Sequence, residues 1–188
     1  AKEFMKKLKV KEDDIKVGIL AGGASNIKSK MLIKRWPLEY YVELTKKMVS
    51  GGYKVILLGA DSDKPGSKVI LKSLSDNIFD LTGKTTLEET AAVMKMCRVI
   101  VTHDSGPMHL ASAIHVPVVS IFGPTDPKEY YPLNSGSHYF WHVEDIECAP
   151  CYEDGRFPDC KDTICMKAVT VEQVYEKVKD IIDARGAY

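Results

Sequence analysis

Five short apolar runs, separated by segments of helical periodicity, constrain this chain more than any other feature of it. Val17-Gly-Ile-Leu20, Lys54-Val-Ile-Leu-Leu58, Ile78-Phe-Asp-Leu81, Arg98-Val-Ile-Val-Thr102 and the run 116–122 are short and rich in β-branched residues. Such runs read as strands buried on both faces. Between the first two, Leu38, Tyr41, Leu44 and Met48 recur at helical spacing, with Pro37 at the start and Gly51-Gly52 at the stop. Residues 67–75 carry Val69, Ile70 and Leu74 on a shorter helix, and a further helix starts near Thr86 with Glu89 as its capping-box partner. A helix over 107–114 precedes the last run, and an amphipathic helix over about 170–184 buries Val171, Val174, Val178, Ile181 and Ile182. Strands alternating with helices predict a parallel sheet covered on both faces, a Rossmann-like doubly wound α/β domain. Residues 123–169, rich in proline, cysteine, aromatics and charge, read as irregular surface structure.

In open α/β sheets, ligands bind beyond the carboxyl ends of the strands, and the unusual residues of this chain fall there. After the first run come Gly22, Gly23, Ser25 and Asn26, a loop that a phosphate could approach closely; it also reads as a plain tight turn. It contains neither a GxxxxGK[ST] phosphate loop nor a GxGxxG dinucleotide fingerprint. Lys34, just before the first long helix, points as a charge toward the same crevice, and Trp36 is expected to pack beneath that helix. The fourth run ends in His103-Asp104-Ser105-Gly106-Pro107, followed by His109. Asp104 or Ser105 could serve as a helix cap and Pro107 suits a first turn, so capping alone would account for them. It does not account for His109, which falls in the first turn, where the helix dipole attracts anions. His103 and His115 read as structural.

Lysine plus arginine number 26, as do aspartate plus glutamate. This balance gives no electrostatic footprint for nucleic acid, so any bound anion needs a local site. No apolar run approaches the roughly 18 residues of a membrane span, and the lysine-rich start lacks the apolar core of a signal peptide. A cytoplasmic location is expected. That start reads as a solvated helix or linker, or else as a membrane-surface segment. Cys148, Cys151, Cys160 and Cys165 leave three readings open: a structural zinc ion, a disulfide, or free thiols. Cys97 reads as a small buried hydrophobe.

Asp104-Ser105-Gly106-Pro107-Met108-His109, then Pro117-Val118-Val119 and Phe122-Gly123-Pro124-Thr125, resemble the signature of the bacterial heptosyltransferases of lipopolysaccharide core assembly. Lys34-Arg35-Trp36-Pro37, Leu81-Thr82-Gly83-Lys84-Thr85 and the cysteine segment ending Cys165-Met166 resemble other motifs of that family, in the same order. The resemblance covers about residues 15–182. It implies one half of a glycosyltransferase-B fold: residues 15–188 as the nucleotide-sugar (donor) domain, with a cysteine-containing loop at about 145–168, and residues 1–14 as linker. On it, Ser105, Gly106 and His109 would hold the diphosphate of an ADP-heptose-type donor, Asp104 would position the loop or a sugar hydroxyl, and Lys34 would meet phosphate or sugar. Ser25 or Asn26 would line the diphosphate, while Asp61 or Asp63 and Thr85 would approach the nucleoside. The stretch from Ser25 to Lys34 is longer than the family pattern.

The resemblance further implies that the acceptor domain and the catalytic base precede this segment, so that the segment alone binds donor without transferring sugar. It implies no metal requirement for transfer and peripheral association with the inner membrane. A nucleotide-binding module without transfer chemistry and a metal-stapled interaction domain are the rival readings.

Overall fold

The first strand, β1 (Lys16–Ile19), is buried along its whole length because it lies inside a sheet, with a neighbour on each side. We describe the chain from a computed structural model, which covers residues 10–23, 31–72, 76–131 and 136–186. After β1 come a 3-10 turn (Leu32–Lys34), α1 (Leu38–Ser50), β2 (Lys54–Leu57), a second 3-10 turn (Asp61–Asp63), α2 (Lys64–Lys72) and β3 (Ile78–Asp80). Then follow α3 (Leu87–Met94), β4 (Val99–His103), α4 (Gly106–Ala113), β5 (Val118–Phe122), α5 (Pro127–Tyr130), β6 (His138–Trp141), α6 (Ile164–Lys167) and α7 (Val171–Gly186). The strand order is β3-β2-β1-β4-β5-β6, and every pairing is parallel.

Alternation along each strand builds two cores. Val17, Ile19, Val55, Leu57, Val99 and Val101 face one layer, against Tyr41, Leu44 and Met48 of α1 and Val174, Val178 and Ile182 of α7. Ile56, Leu58, Ile100 and Phe122 face the other, against Val93 and Met94 of α3 and Met108 and Ala111 of α4. Each of the Val, Leu, Ile, Met and Phe side chains among them contributes on the order of 1.5–3 kcal/mol by leaving water. The helix ends follow their signals: Gly52 leaves α1 at φ +86, and Thr86 and Glu89 form the reciprocal capping box on α3. His115 closes α4 at φ 59, with Val116 N–H donating to the Ala111 carbonyl at 3.0 Å, so its role is structural. Trp36 is buried and donates from Nε1 to the Val169 carbonyl at 2.9 Å. Among the described residues no helix is long and apolar enough to cross a membrane. Val10, within the segment read as linker, is buried in the second core.

The segment 123–169 departs from its reading as irregular surface. It contributes β6, which pairs with β5 from Val119↔His138 to Phe122↔Trp141 and extends the sheet to six strands. The strand HYFW has no β-branched residue and lies half-exposed at the sheet edge, so it lacks the uninterrupted apolar run of the inner strands. For the site, the important feature is the position of β1 between β2 and β4. The chain leaves β1 toward β2 on one side and later returns to β4 on the other, so the turns after β1 and β4 diverge and open a crevice.

Candidate functional site at the diverging strand ends

The turn after β1 is fastened from both sides. Gly23 N–H donates to Asp63 Oδ1 at 3.1 Å, and Ala60 N–H, just beyond β2, donates to Asp63 Oδ2 at 2.9 Å. The Gly23 carbonyl accepts from Arg35 Nε at 3.1 Å and from its Nη2 at 2.8 Å. Arg35 Nη2 also lies 3.5 Å from Asp63 Oδ1. A Cβ on Gly22 would stand 2.0 Å from the Asp63 carboxyl carbon, so only glycine leaves room for that carboxylate. One buried acid thereby joins the turns after β1 and β2.

The turn after β4 is arranged differently. Ser105 takes the N-cap position of α4, yet its side chain makes no cap bond. Its hydroxyl instead donates back to the His103 carbonyl at 3.1 Å and shares a 3.3 Å bond with Thr102 Oγ1. Asp104 does not cap either. Its Oδ2 accepts from Thr125 Oγ1 at 2.6 Å and pairs with Lys34 Nζ at 2.5 Å, both side chains being largely buried. The capping explanation offered by the sequence therefore fails for both residues, and among the described residues no side chain caps the first turn of α4.

That turn opens on a cavity of about 410 Å³ lined by Gly22, Gly23, Lys34, Asp63, Asp104, Ser105, Gly106 and His109, among others. A second cavity of about 510 Å³ shares Leu20, Gly59, Ala60, Gly106 and Pro107 with it and continues between α3 and α4, along Thr85, Leu87, Thr90, Met94 and Leu110. The Thr85 hydroxyl shares a 2.8 Å bond with that of Thr90. The crevice thus has a charged end, a helix N-terminus at its middle and an apolar end. Its total size suits a nucleotide with a substituent.

Of the residues singled out from the sequence, Lys34, Asp104, Ser105, Gly106 and His109 meet at the charged cavity, and Thr85 lines the apolar one. Asp61 does not join them: its side chain is 82% exposed and pairs with Lys64. Asp63, two residues on, takes the inward place. Ser25 and Asn26 lie outside the described residues. Lys34 stands at the cavity with its ammonium paired to the Asp104 carboxylate, so the two charges face it together. Arg35 belongs to the motif that drew attention to Lys34, but nothing in the sequence marks it as the residue that holds Gly23.

His103 lies beneath both turns, fully buried, with Nδ1 sharing a 3.2 Å hydrogen bond with the Tyr41 hydroxyl. Its Nε2 is buried with no hydrogen-bond partner among the described residues and would stand 4.0 Å from a Cβ on Gly23. Burial, reinforced by the positive charges of Arg35 and Lys34, lowers its pKa to about 3. It is a neutral structural imidazole, as its place in the strand implies.

The cysteines are free thiols: Cys148 exposed, Cys151 and Cys160 half-buried, Cys97 and Cys165 buried. Among the described residues no group of three or more His, Cys, Asp or Glu side chains could hold a metal ion, so the zinc reading of Cys148, Cys151, Cys160 and Cys165 has no support in this geometry. Cys165 packs toward Gly123, where an added Cβ would lie 2.8 Å from its Sγ, and the Cys160 thiol turns to the Asp162 carbonyl at 3.3 Å. Burial pushes the Cys165 thiol up to about 11 and that of Cys97 to about 12.

Comparison with known proteins places this arrangement. The chain is 38% identical over 105 residues to the lipopolysaccharide heptosyltransferase 2 of Salmonella typhimurium, an alignment covering 54% of this chain and 30% of that protein. Its fold matches the structure of the Escherichia coli ADP-heptose lipopolysaccharide heptosyltransferase II with a TM-score of 0.79 at 24% identity, over 99% of this chain and 52% of that one. It also matches an Escherichia coli heptosyltransferase solved with ADP, with a TM-score of 0.67 at 19% identity, over 90% of this chain and 45% of the other. The chain thus spans about half the length of these solved relatives, and the six-stranded sheet is the fold of one half of a glycosyltransferase-B enzyme. The profile of glycosyltransferase family 9 (heptosyltransferase) matches residues 6–160, and the chain belongs to that family.

Proposed function

We propose that this chain is the donor-binding half of a glycosyltransferase that moves heptose from an ADP-heptose-type donor to a lipopolysaccharide core acceptor. The observation that carries the reading is the uncapped N-terminus of α4, open to a cavity that also holds Lys34 and His109. A diphosphate on Gly106 and Pro107 would meet the positive end of the helix dipole. His109, exposed on the first turn, and Lys34 across the cavity bring donors to the same oxygens. The apolar cavity between α3 and α4 takes the base, as a flat, largely apolar slot should.

In the transfer, the bond between the sugar's anomeric carbon and the diphosphate oxygen breaks, and the acceptor oxygen forms the new bond. Negative charge grows on the departing ADP, where the helix N-terminus and Lys34 stabilise it. The acceptor hydroxyl must lose a proton to a general base. The reading places that base and the acceptor site in the half of the relatives' length that this chain does not span. The donor's charged diphosphate keeps the reaction in the cytoplasm, with contact to the inner membrane only peripheral.

Calorimetric titration with ADP, UDP and GDP tests the reading. ADP should bind with the highest affinity of the three. A folded chain that binds none of them would overturn the assignment. Equal binding of all three would leave a nucleotide site without the proposed donor.

A further inference from the structure

The turn Gly123-Pro124-Thr125 leaves β5 beside the crevice and lines neither cavity, yet it is buried throughout and fastened on three sides. The Gly123 carbonyl accepts from Trp141 Nε1 at 3.2 Å, which ties the turn to the sheet edge. The Pro124 carbonyl accepts two N–H groups of the cysteine-bearing loop, from Cys151 at 2.9 Å and from Tyr152 at 3.0 Å. A Cβ on Gly123 would lie 2.8 Å from both Cys165 Sγ and Met166 Sδ, so α6 packs directly on the backbone of the turn. Three elements thus fix the place of Thr125, which none of them needs for its own folding.

Thr125 is 1% exposed, and its hydroxyl donates to Asp104 Oδ2 at 2.6 Å, the length expected for an ionised acceptor. Local needs do not account for this partner. The helix that follows is capped by Asp126, whose carboxylate accepts from the Lys128 N–H at 2.8 Å. Buried Thr45, by contrast, satisfies its hydroxyl on the Tyr41 carbonyl of its own helix at 2.7 Å. Thr125 instead bridges 21 positions to the end of the neighbouring strand. There the same Oδ2 also receives the Lys34 ammonium, and the Asp104 N–H donates to the Ile121 carbonyl at 3.1 Å. Asp104 is therefore held twice from β5 and its turn, the main chain by Ile121 and the side chain by Thr125. Without that hydroxyl, Oδ2 keeps only Lys34, and the ion pair is free to swing about the Asp104 side-chain torsions.

We infer that Thr125 is a positioning residue: its hydroxyl sets the Asp104 carboxylate and, through it, keeps the Lys34 ammonium at the wall of the charged cavity. The inference rests on the donor-site reading above. It adds to that reading a role for the turn after β5, and through the Pro124 carbonyl for the cysteine-bearing loop that helps to seat this turn.

The test is a double-mutant cycle read by calorimetric titration of the 188-residue chain with ADP, at a temperature where every variant is folded. Thr125→Val keeps the shape, removes the donor and should weaken ADP binding about fivefold. Thr125→Ala, which demands no room, should show the same loss and replaces the valine variant if that one does not fold. Thr125→Ser restores the hydroxyl and should bind ADP within about twofold of the unsubstituted chain. On an Asp104→Ala background the valine or alanine substitution should change ADP affinity by less than about twofold, because nothing is left for the hydroxyl to position. A purely structural threonine would give the same loss on both backgrounds. That result, unchanged ADP affinity in Thr125→Val and Thr125→Ala, or a serine variant as weak as the valine one would overturn the positioning role while the donor reading stands. Failure of the unsubstituted chain to bind ADP would remove the donor reading and the positioning role together.

Discussion

β1 and β4 lie side by side, and the turns that leave them face each other across the crevice, yet the two turns are held by different means. After β1, both backbone groups of Gly23 are engaged, its N–H by Asp63 and its carbonyl by Arg35. After β4, the side chains that could have engaged the backbone of α4 look elsewhere: Ser105 to the His103 carbonyl, Asp104 to Lys34 and Thr125. One turn is fixed by its own protein, and the other leaves its helix end without a side-chain cap among the described residues. A binding site needs both, a wall that does not move and donors without internal partners, because only uncommitted donors gain from a ligand.

The largest test of this contrast is Asp63→Ala. It strips the acceptor from Gly23 N–H and Ala60 N–H and leaves Arg35 without its acid. The expected cost is about 2 kcal/mol of folding stability, since two partly buried backbone donors are left unpaired. ADP affinity should fall with it as the β1 turn loosens. Ser105→Ala on the opposite turn removes one hydroxyl that caps nothing and should cost about 1 kcal/mol. Urea unfolding of the two variants measures the difference. Equal costs would mean that the β1 turn is not the fixed wall.

His103 beneath the two turns offers a second test, in pH. Its folded pKa of about 3 lies below the ordinary value of 6.5. Between those limits the unfolded chain takes up a proton that the folded chain refuses, so stability is full above 6.5 and falls as the pH drops below it. At pH 5 the loss is about 2 kcal/mol. His103→Gln keeps a polar partner for Tyr41 without the titration. The stability difference between pH 7 and pH 5 should therefore be smaller in this variant than in the wild type. An identical pH dependence in the two proteins would show that the imidazole is solvated.

The same contrast explains what could be read from the sequence. The inner strands β1, β2 and β4 are buried on both faces, so the burial is written as uninterrupted apolar runs, and the doubly wound order follows from their alternation with helices. Edge strand β6 has one neighbour and half-exposed side chains, and HYFW carries no comparable signal. In the site, Lys34, Ser105, Gly106 and His109 were legible because strand ends and ordered motifs mark them. The choice between Asp61 and Asp63 was not. It is decided by a 3-10 turn that sends one carboxylate outward, and by the missing Cβ of Gly22 together with a Gly23 N–H 40 positions away. The cysteines show the same limit: their spacing left zinc, a disulfide and free thiols open, and only the fold shows Cys165 buried beside Gly123 while Cys148 is exposed. The edge-to-face contact of Tyr130 with Tyr152 joins α5 to a loop more than 20 residues later, a contact that no local pattern encodes.

The smallest effect separates the two kinds of helix start. Thr86 caps α3 through the Glu89 N–H and Glu89 returns a bond to Thr86, so this N-terminus is complete without a ligand. Thr86→Ala should cost about 1 kcal/mol and leave ADP affinity within about twofold. His109→Ala should do the reverse. The side chain is exposed on α4 and belongs to neither core, so stability should stay within about 0.5 kcal/mol. ADP affinity should fall about tenfold, as expected for a donor that meets the diphosphate. Thermal unfolding and calorimetry on the same two preparations give both readings. If His109→Ala destabilises the fold and spares ADP, the histidine is architecture, and the open end of α4 has lost its strongest claim to a ligand.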